Sequence, residues 1–222
     1  MDLTLPSGTA ASITRAESPT RGLVVVPDIW GLRPLFEDLC ASLSEQTGWT
    51  VVAVEPFPGQ DLPDASAPDA MAVRSEAMTR QVDERLVGDL LAAADETGCD
   101  QVGLIGFCMG GMYALKASAT GRFDRIVSFY GMAHVPEHFD GPGQGDPVQA
   151  LEQRGDVQVM SVIGTVDPLV PESHAVDLEA VGVVVHRYED ADHGFVHDPS
   201  RPTHRAEDAA DAWSKALAFL DA

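Results

Sequence analysis

Lysine is almost missing from this chain. Its 222 residues carry 2 Lys and 12 Arg against 22 Asp and 13 Glu, a formal charge of −21. Such a surface repels phosphate backbones and anionic lipid, so neither nucleic acid nor a membrane is expected as a partner. The excess acid fits either a soluble surface drawn from an Arg-preferring composition or an adaptation to high salt, where self-repulsion is screened. Cysteine is also scarce: Cys40, Cys99 and Cys108 are all there is. Three cannot all pair, no CxxC occurs, and none sits with histidine at zinc spacing, so neither a disulfide framework nor a structural metal is expected. A reduced, cytoplasmic setting follows. No apolar run approaches the ~20 residues of a membrane span, and MDLTLPSGTA lacks the basic and apolar regions of a signal peptide. No repeat period and no glycine-rich nucleotide loop follows the first strand-like run.

What is present is a regular series of apolar runs. Leu23–Pro27, Thr50–Val54, Gln101–Gly106, Arg125–Tyr130, Val157–Ile163 and Val181–Tyr188 read as continuous rather than alternating, as strands buried on both faces do. Helical patterns lie between them. Pro34 suits the first turn of a helix carrying Leu35, Phe36, Leu39 and Leu43. A long helix is expected over 68–97 with Val82, Leu86, Leu90 and Ala93 inward. A last one places Ala206, Ala209, Ala210, Trp213, Ala216, Leu217 and Leu220 on one face. Alternation of this kind predicts a doubly wound, mostly parallel α/β sheet with helices on both faces. Loop-like stretches at 56–68 and 136–147 read as insertions within one domain spanning 1–222.

Chemistry concentrates at Gly106-Phe107-Cys108-Met109-Gly110-Gly111, between the strand VGLIGF and the helical run MYALKASA. This is G-x-C-x-G, a thiol form of the nucleophile elbow. Glycines two before and two after remove side chains that would clash in a strained strand-to-helix turn. The turn presents the sulfur and aims the Met109 N–H, at a helix N-terminus, toward a developing oxyanion. Asp167, in VIGTVDPLVP, and His193, in YEDADHGF, follow in the order nucleophile, acid, histidine that α/β-hydrolases use. Asp190 and Asp192 compete with Asp167 as the histidine's partner. Trp30, Phe36 and Phe195 are candidate pocket walls, with core packing an equal reading for Phe36, and His197 is close enough to His193 to line the same pocket. His134, His138, His174, His186 and His204 read as surface or loop residues.

With GFCMGG and DHGF, and VVVPDIWGL in support, the sequence resembles the dienelactone hydrolase family of α/β-hydrolases from about Gly22 to Leu220. The resemblance implies cleavage of a small ester or lactone through Cys108, His193 and Asp167, an acyl-thioester intermediate, and no metal or organic cofactor. It assigns the second oxyanion donor to the Ile29 N–H. The family's glutamate that hydrogen-bonds the resting thiol is Asp28 here, one methylene shorter. Of two arginines that bind substrate carboxylate in prototype members, Arg74 matches one and His197 stands at the other, with Arg201 and Arg205 nearby as alternative cations. The alternatives are another ester or thioester as substrate, or a scaffold whose Cys108 is oxidised reversibly. A monomer or small homo-oligomer is expected.

Overall fold

The computed structural model describes residues 2–222. Eight strands form one sheet: β1 (Asp2–Thr4), β2 (Ala10–Thr14), β3 (Gly22–Val26), β4 (Thr50–Val54), β5 (Val102–Phe107), β6 (Arg125–Phe129), β7 (Gln158–Gly164) and β8 (Val184–Tyr188). Their order across the sheet is β1-β2-β4-β3-β5-β6-β7-β8. The last six positions are mutually parallel, and β1 and β2 join antiparallel at the β4 edge. Seven α-helices connect and cover them: α1 (Pro34–Thr47), α2 (Ala70–Thr79), α3 (Asp83–Glu96), α4 (Met109–Ala117), α5 (Pro147–Glu152), α6 (Glu172–Ala180) and α7 (Ala206–Asp221).

The six apolar runs are the six parallel strands, Thr50–Val54 to the residue and the others with ends shifted by at most three residues. Every residue of β3, β4 and β5 is buried, which is why those runs show no alternation. The β8 run starts late because Gly182 adopts φ 79° and the Val183 N–H bonds the Leu178 carbonyl, so 181–183 turn off α6. The expected helix over 68–97 is two helices. Val82 is extended (φ −116°, ψ 118°) and exposed rather than inward. Buried Gln81 donates its side-chain amide to the Pro56 carbonyl, and the Asp83 N–H bonds Gly143, so the break is held by tertiary partners. On α7 the buried face is Ala209, Ala212, Ala216 and Leu220, while Ala206 and Ala210 are exposed. Pro34 opens α1 as expected, and Phe36, Cys40 and Leu43 are buried beneath it.

What positions the site is the reversal of strand order at β3. The chain leaves β3 toward β4 on one side, and β5 lies on the other, with Val26 paired to Gly106. The loops after β3 and β5 therefore meet at the carboxyl edge of the sheet, the crevice where open α/β sheets accept ligands. Among the described residues, no helix is long and apolar enough to cross a membrane.

Candidate active site

Cys108 sits between β5 and α4 at φ 55°, ψ −119°, a backbone conformation few non-glycine residues adopt. The surrounding contacts impose it. The Cys108 N–H bonds the Phe129 carbonyl at 3.0 Å, and its own carbonyl accepts the Met112 N–H at 3.0 Å. Neither flanking glycine tolerates a side chain. A Cβ on Gly106 would lie 2.0 Å from the Gly110 carbonyl oxygen, and one on Gly110 2.3 Å from the Val26 and Pro27 oxygens. The strain thus falls on the residue carrying the sulfur. Met109 is the first residue of α4, so its N–H has no acceptor within the helix and lies at the positive end of the helix dipole.

Across the crevice, the His193 Nδ1 bonds the Asp167 Oδ2 at 2.7 Å. The other Asp167 oxygen accepts the N–H groups of Leu169 (2.8 Å) and Val170 (3.3 Å), which locks the carboxylate. Asp192 turns to the His193 backbone N–H at 2.6 Å instead of the ring, and Asp190 does not reach the ring either. A carboxylate at Nδ1 makes that nitrogen the donor, so Nε2 is the atom left for chemistry. Nε2 is buried and meets no acceptor in full hydrogen-bonding geometry, yet His193 and Cys108 line one cavity. Burial by itself would lower the His193 pKa. The charge of a Cys108 thiolate and the Asp167 hydrogen bond outweigh it and push the value up to about 10. The other thiols stand apart. Cys40 is fully buried, which pushes its pKa up to about 12, and Cys99 precedes β5, at the opposite end of that strand from Cys108.

The cavity above Cys108 has a volume of about 290 Å³, walled chiefly by Ile29, Trp30, Phe139, Leu169 and His193. The loop after β3 is pinned plane by plane. Gly31 N–H bonds the Asp28 carbonyl, Trp30 N–H bonds Asp28 Oδ1 (3.0 Å), and Arg74 Nη1 donates to the Ile29 carbonyl (2.8 Å). Ile29 lines this cavity, and among the described residues its N–H has no protein acceptor.

Four expectations need revision. Asp28, although it borders the cavity, is committed elsewhere. It accepts both Arg33 terminal nitrogens (2.7 and 3.0 Å) and the His197 Nε2–H (2.9 Å), and makes no hydrogen bond to the Cys108 thiol. The hydrogen bonds from His197 and Arg33, with the Arg33 charge, outweigh burial and hold its carboxyl well below the usual range. His197 lies behind the wall and does not line the cavity. Its Nε2 donates to Asp28, so its Nδ1 accepts from the Tyr130 hydroxyl, and burial lowers its pKa, leaving the ring neutral. Phe195 is fully buried against Tyr130 and Tyr188. Arg74 spends its guanidinium on the carbonyls of Ile29 and Pro63 and faces a neighbouring cavity, so it positions the loop rather than meeting Cys108.

Met71 and Ser75 on α2, Phe139 from the 136–147 loop and Leu169 just after Asp167, none of them a sequence candidate, also line the Cys108 cavity, as does His138, which the sequence placed only as a surface or loop residue. Leu169 alone had a usable signal, its place two residues after Asp167. Arg201 reaches the cavity as well. Among the described residues, no group of three or more His, Cys, Asp or Glu is placed to hold a metal ion.

A model described as the dienelactone hydrolase family matches residues 9–222. Carboxymethylenebutenolidase 2 of Cupriavidus pinatubonensis is 28% identical over 194 residues, 82% of this chain and 77% of that protein. A carboxymethylenebutenolidase of Rhodococcus opacus is 27% identical, covering 90% of this chain and 80% of its own length. Among solved structures, a dienelactone hydrolase-like promiscuous phosphotriesterase from metagenomic libraries superposes with a TM-score of 0.79 at 20% identity, over 100% of this chain and 96% of that one. That likeness speaks to the α/β-hydrolase fold.

Proposed function

The chain belongs to the dienelactone hydrolase family, and from that premise we propose that it hydrolyses a small ester or lactone through Cys108, His193 and Asp167 by way of an acyl-thioester. The observation that carries this reading is the strained sulfur of Cys108 sharing one cavity with a histidine whose far nitrogen is fixed by Asp167.

The Cys108 thiolate attacks the substrate carbonyl, and the C–S bond forms as the carbonyl oxygen becomes an oxyanion. The N–H groups of Met109 and Ile29 receive that charge. Each such donor is worth about 3 kcal/mol in the transition state, and the fixed peptide planes of the 28–31 loop mean that no reorganisation is needed. The carbon–oxygen bond to the leaving group then breaks, and the His193 Nε2 gives its proton to the departing oxygen. Acylation removes the negative charge of the sulfur, and with it one of the causes holding His193 protonated. The imidazole, now neutral, takes a proton from water, hydroxide attacks the thioester, and the acid leaves as Cys108 is restored.

Alkylation tests the reading. With substoichiometric iodoacetamide at neutral pH, peptide mapping should find Cys108 modified well ahead of Cys99, and Cys40 unmodified in the folded protein. Cys99 labelled first would count against a thiolate at Cys108.

A further inference from the structure

We propose that Tyr130 and His197 are positioning residues, which hold the 28–31 loop at a fixed distance from the general base through one buried hydrogen-bonded chain, Tyr130 to His197 to Asp28. This rests on the hydrolase reading above. The Tyr130 hydroxyl bonds the His197 Nδ1, and the His197 Nε2 bonds the Asp28 Oδ2 at 2.9 Å. All three side chains are buried. Neither Tyr130 nor His197 lines the Cys108 cavity, so any effect they have on the reaction passes through other groups.

The hydrogens of this chain have one arrangement. Asp28, held charged beside Arg33, can only accept, so the His197 Nε2 carries a hydrogen and Nδ1 accepts from Tyr130. The ring is otherwise caged by aromatic groups, stacked on Phe36 with centroids 5.7 Å apart and lying 4.8 Å from Phe107. An apolar side chain would fill such a cage without the cost of burying two ring nitrogens. A polar ring with both nitrogens satisfied instead selects a single geometry. Tyr130 is held just as firmly. It adopts φ 41°, and its N–H bonds the Val162 carbonyl at 2.7 Å. A Cβ on the next residue, Gly131, would lie 2.3 Å from the Ser128 Oγ and 2.4 Å from the Gly111 carbonyl carbon, so this turn is wedged against α4, the helix that Cys108 opens.

The chain joins three segments at the carboxyl edge of the sheet. At one end the Tyr130 ring stands edge-on to the His193 ring, with centroids 5.1 Å apart. In the middle, His197 follows His193 on the same loop. At the other end, Asp28 shares with Ile29 the peptide group that carries the Ile29 N–H, and the carbonyl of that group accepts from Gly31. The Asp28 side chain takes its remaining hydrogen bonds from Trp30 and Arg33, neighbours within the loop and at the start of α1. Among the described residues, His197 is the one group from elsewhere in the chain that bonds this side chain. Arg74 and Glu55 tie the loop outward, at the Ile29 carbonyl and the Leu32 N–H; His197 ties it inward, to the base. An oxyanion donor acts only if it lies where charge develops, and the base must meet the same substrate, so the spacing of these two loops is the quantity that the chain fixes.

The test compares two reactions of Cys108 in the same variants. Release of p-nitrophenolate from p-nitrophenyl acetate, with enzyme in excess, reports attack at a carbonyl and so needs the oxyanion N–H groups. Methyl methanethiosulfonate transfers its methylthio group to the sulfur, expels methanesulfinate and forms no oxyanion. Tyr130→Phe, which removes a single oxygen atom, should slow acylation about ten-fold, and His197→Phe about 10²-fold, up to the scale for loss of one oxyanion donor. Methylthiolation should stay within about two-fold of wild type in both, since no charge develops at the 28–31 loop. His197→Gln, whose amide can donate to Asp28 and accept from Tyr130, should recover most of the loss. If His197→Phe does not fold, Tyr130→Phe decides. Acylation at the wild-type rate in the Phe variants, or a loss that both reactions share in Tyr130→Phe, overturns the inference and leaves the hydrolase reading standing. No acylation of Cys108 in the wild type would overturn both.

Discussion

Replacing Cys108 by alanine should lower kcat/KM for a small ester by about 10⁴-fold or more, the scale seen when a member of a nucleophile–base–acid unit is removed. The size of the effect follows from the division of labour. Without the sulfur there is no acyl-enzyme, and His193 loses the charge that helps hold its pKa near 10. What remains is the pair of oxyanion N–H groups, which can stabilise direct attack by water only weakly. Cys108 is buried but fills little volume, and the contacts enforcing the turn are backbone bonds to Phe129 and Met112. The variant should therefore fold, and circular dichroism and the melting temperature check this. Retention of more than about a tenth of wild-type activity would be incompatible with a covalent route through this residue.

Asp167→Asn should cost about 10³- to 10⁴-fold. The amide cannot be relied on to accept at Oδ2 while its partner atom holds Leu169 and Val170, so the His193 ring loses both orientation and charge support. The pH profile gives a second readout. Burial lowers the His193 pKa, and the Cys108 thiolate and Asp167 raise it past its ordinary value to about 10. The imidazolium needed to protonate an alkoxide leaving group is thus present below that pH and lost above it. For an alkyl ester, kcat/KM should fall as pH rises through about 10, and in Asp167→Asn the falling limb should move to lower pH because one raising cause is gone. Asp192→Asn should leave the limb in place, since Asp192 bonds backbone rather than ring. The reverse result would assign the acid to Asp192.

The elbow and the parallel strands were legible because their constraints are local. Strands buried on both faces carry few polar residues, and this strained turn has no room for side chains at Gly106 and Gly110. The hairpin of β1 and β2 was not, because its strands are only three and five residues long and β2 gains its order by pairing with β4. The break at 80–82 was hidden for the same reason, since Pro56 and Gly143 hold it from distant parts of the chain. Within the site, Asp167 could be chosen over its rivals by position, but His197 could not be placed. Four residues past His193 its ring can face either side of the wall, and its partners Tyr130 and Asp28 lie 67 and 169 positions away. Arg74 was misjudged because its backbone acceptors, the carbonyls of Ile29 and Pro63, leave no sequence signature. Arg201 could be named from sequence only alongside Arg205, and the structure puts Arg201 at the Cys108 cavity.

The claim on which all of this turns is a thioester on Cys108. It is tested most directly by intact-protein mass spectrometry of His193→Ala after brief exposure to p-nitrophenyl acetate, whose leaving group needs no protonation. Removing the general base should slow deacylation more than acylation. The account predicts one added acetyl group, hydroxylamine-labile and mapped to the peptide containing Cys108. An acetyl group absent there, or found on another residue while the wild type turns the ester over, would contradict it.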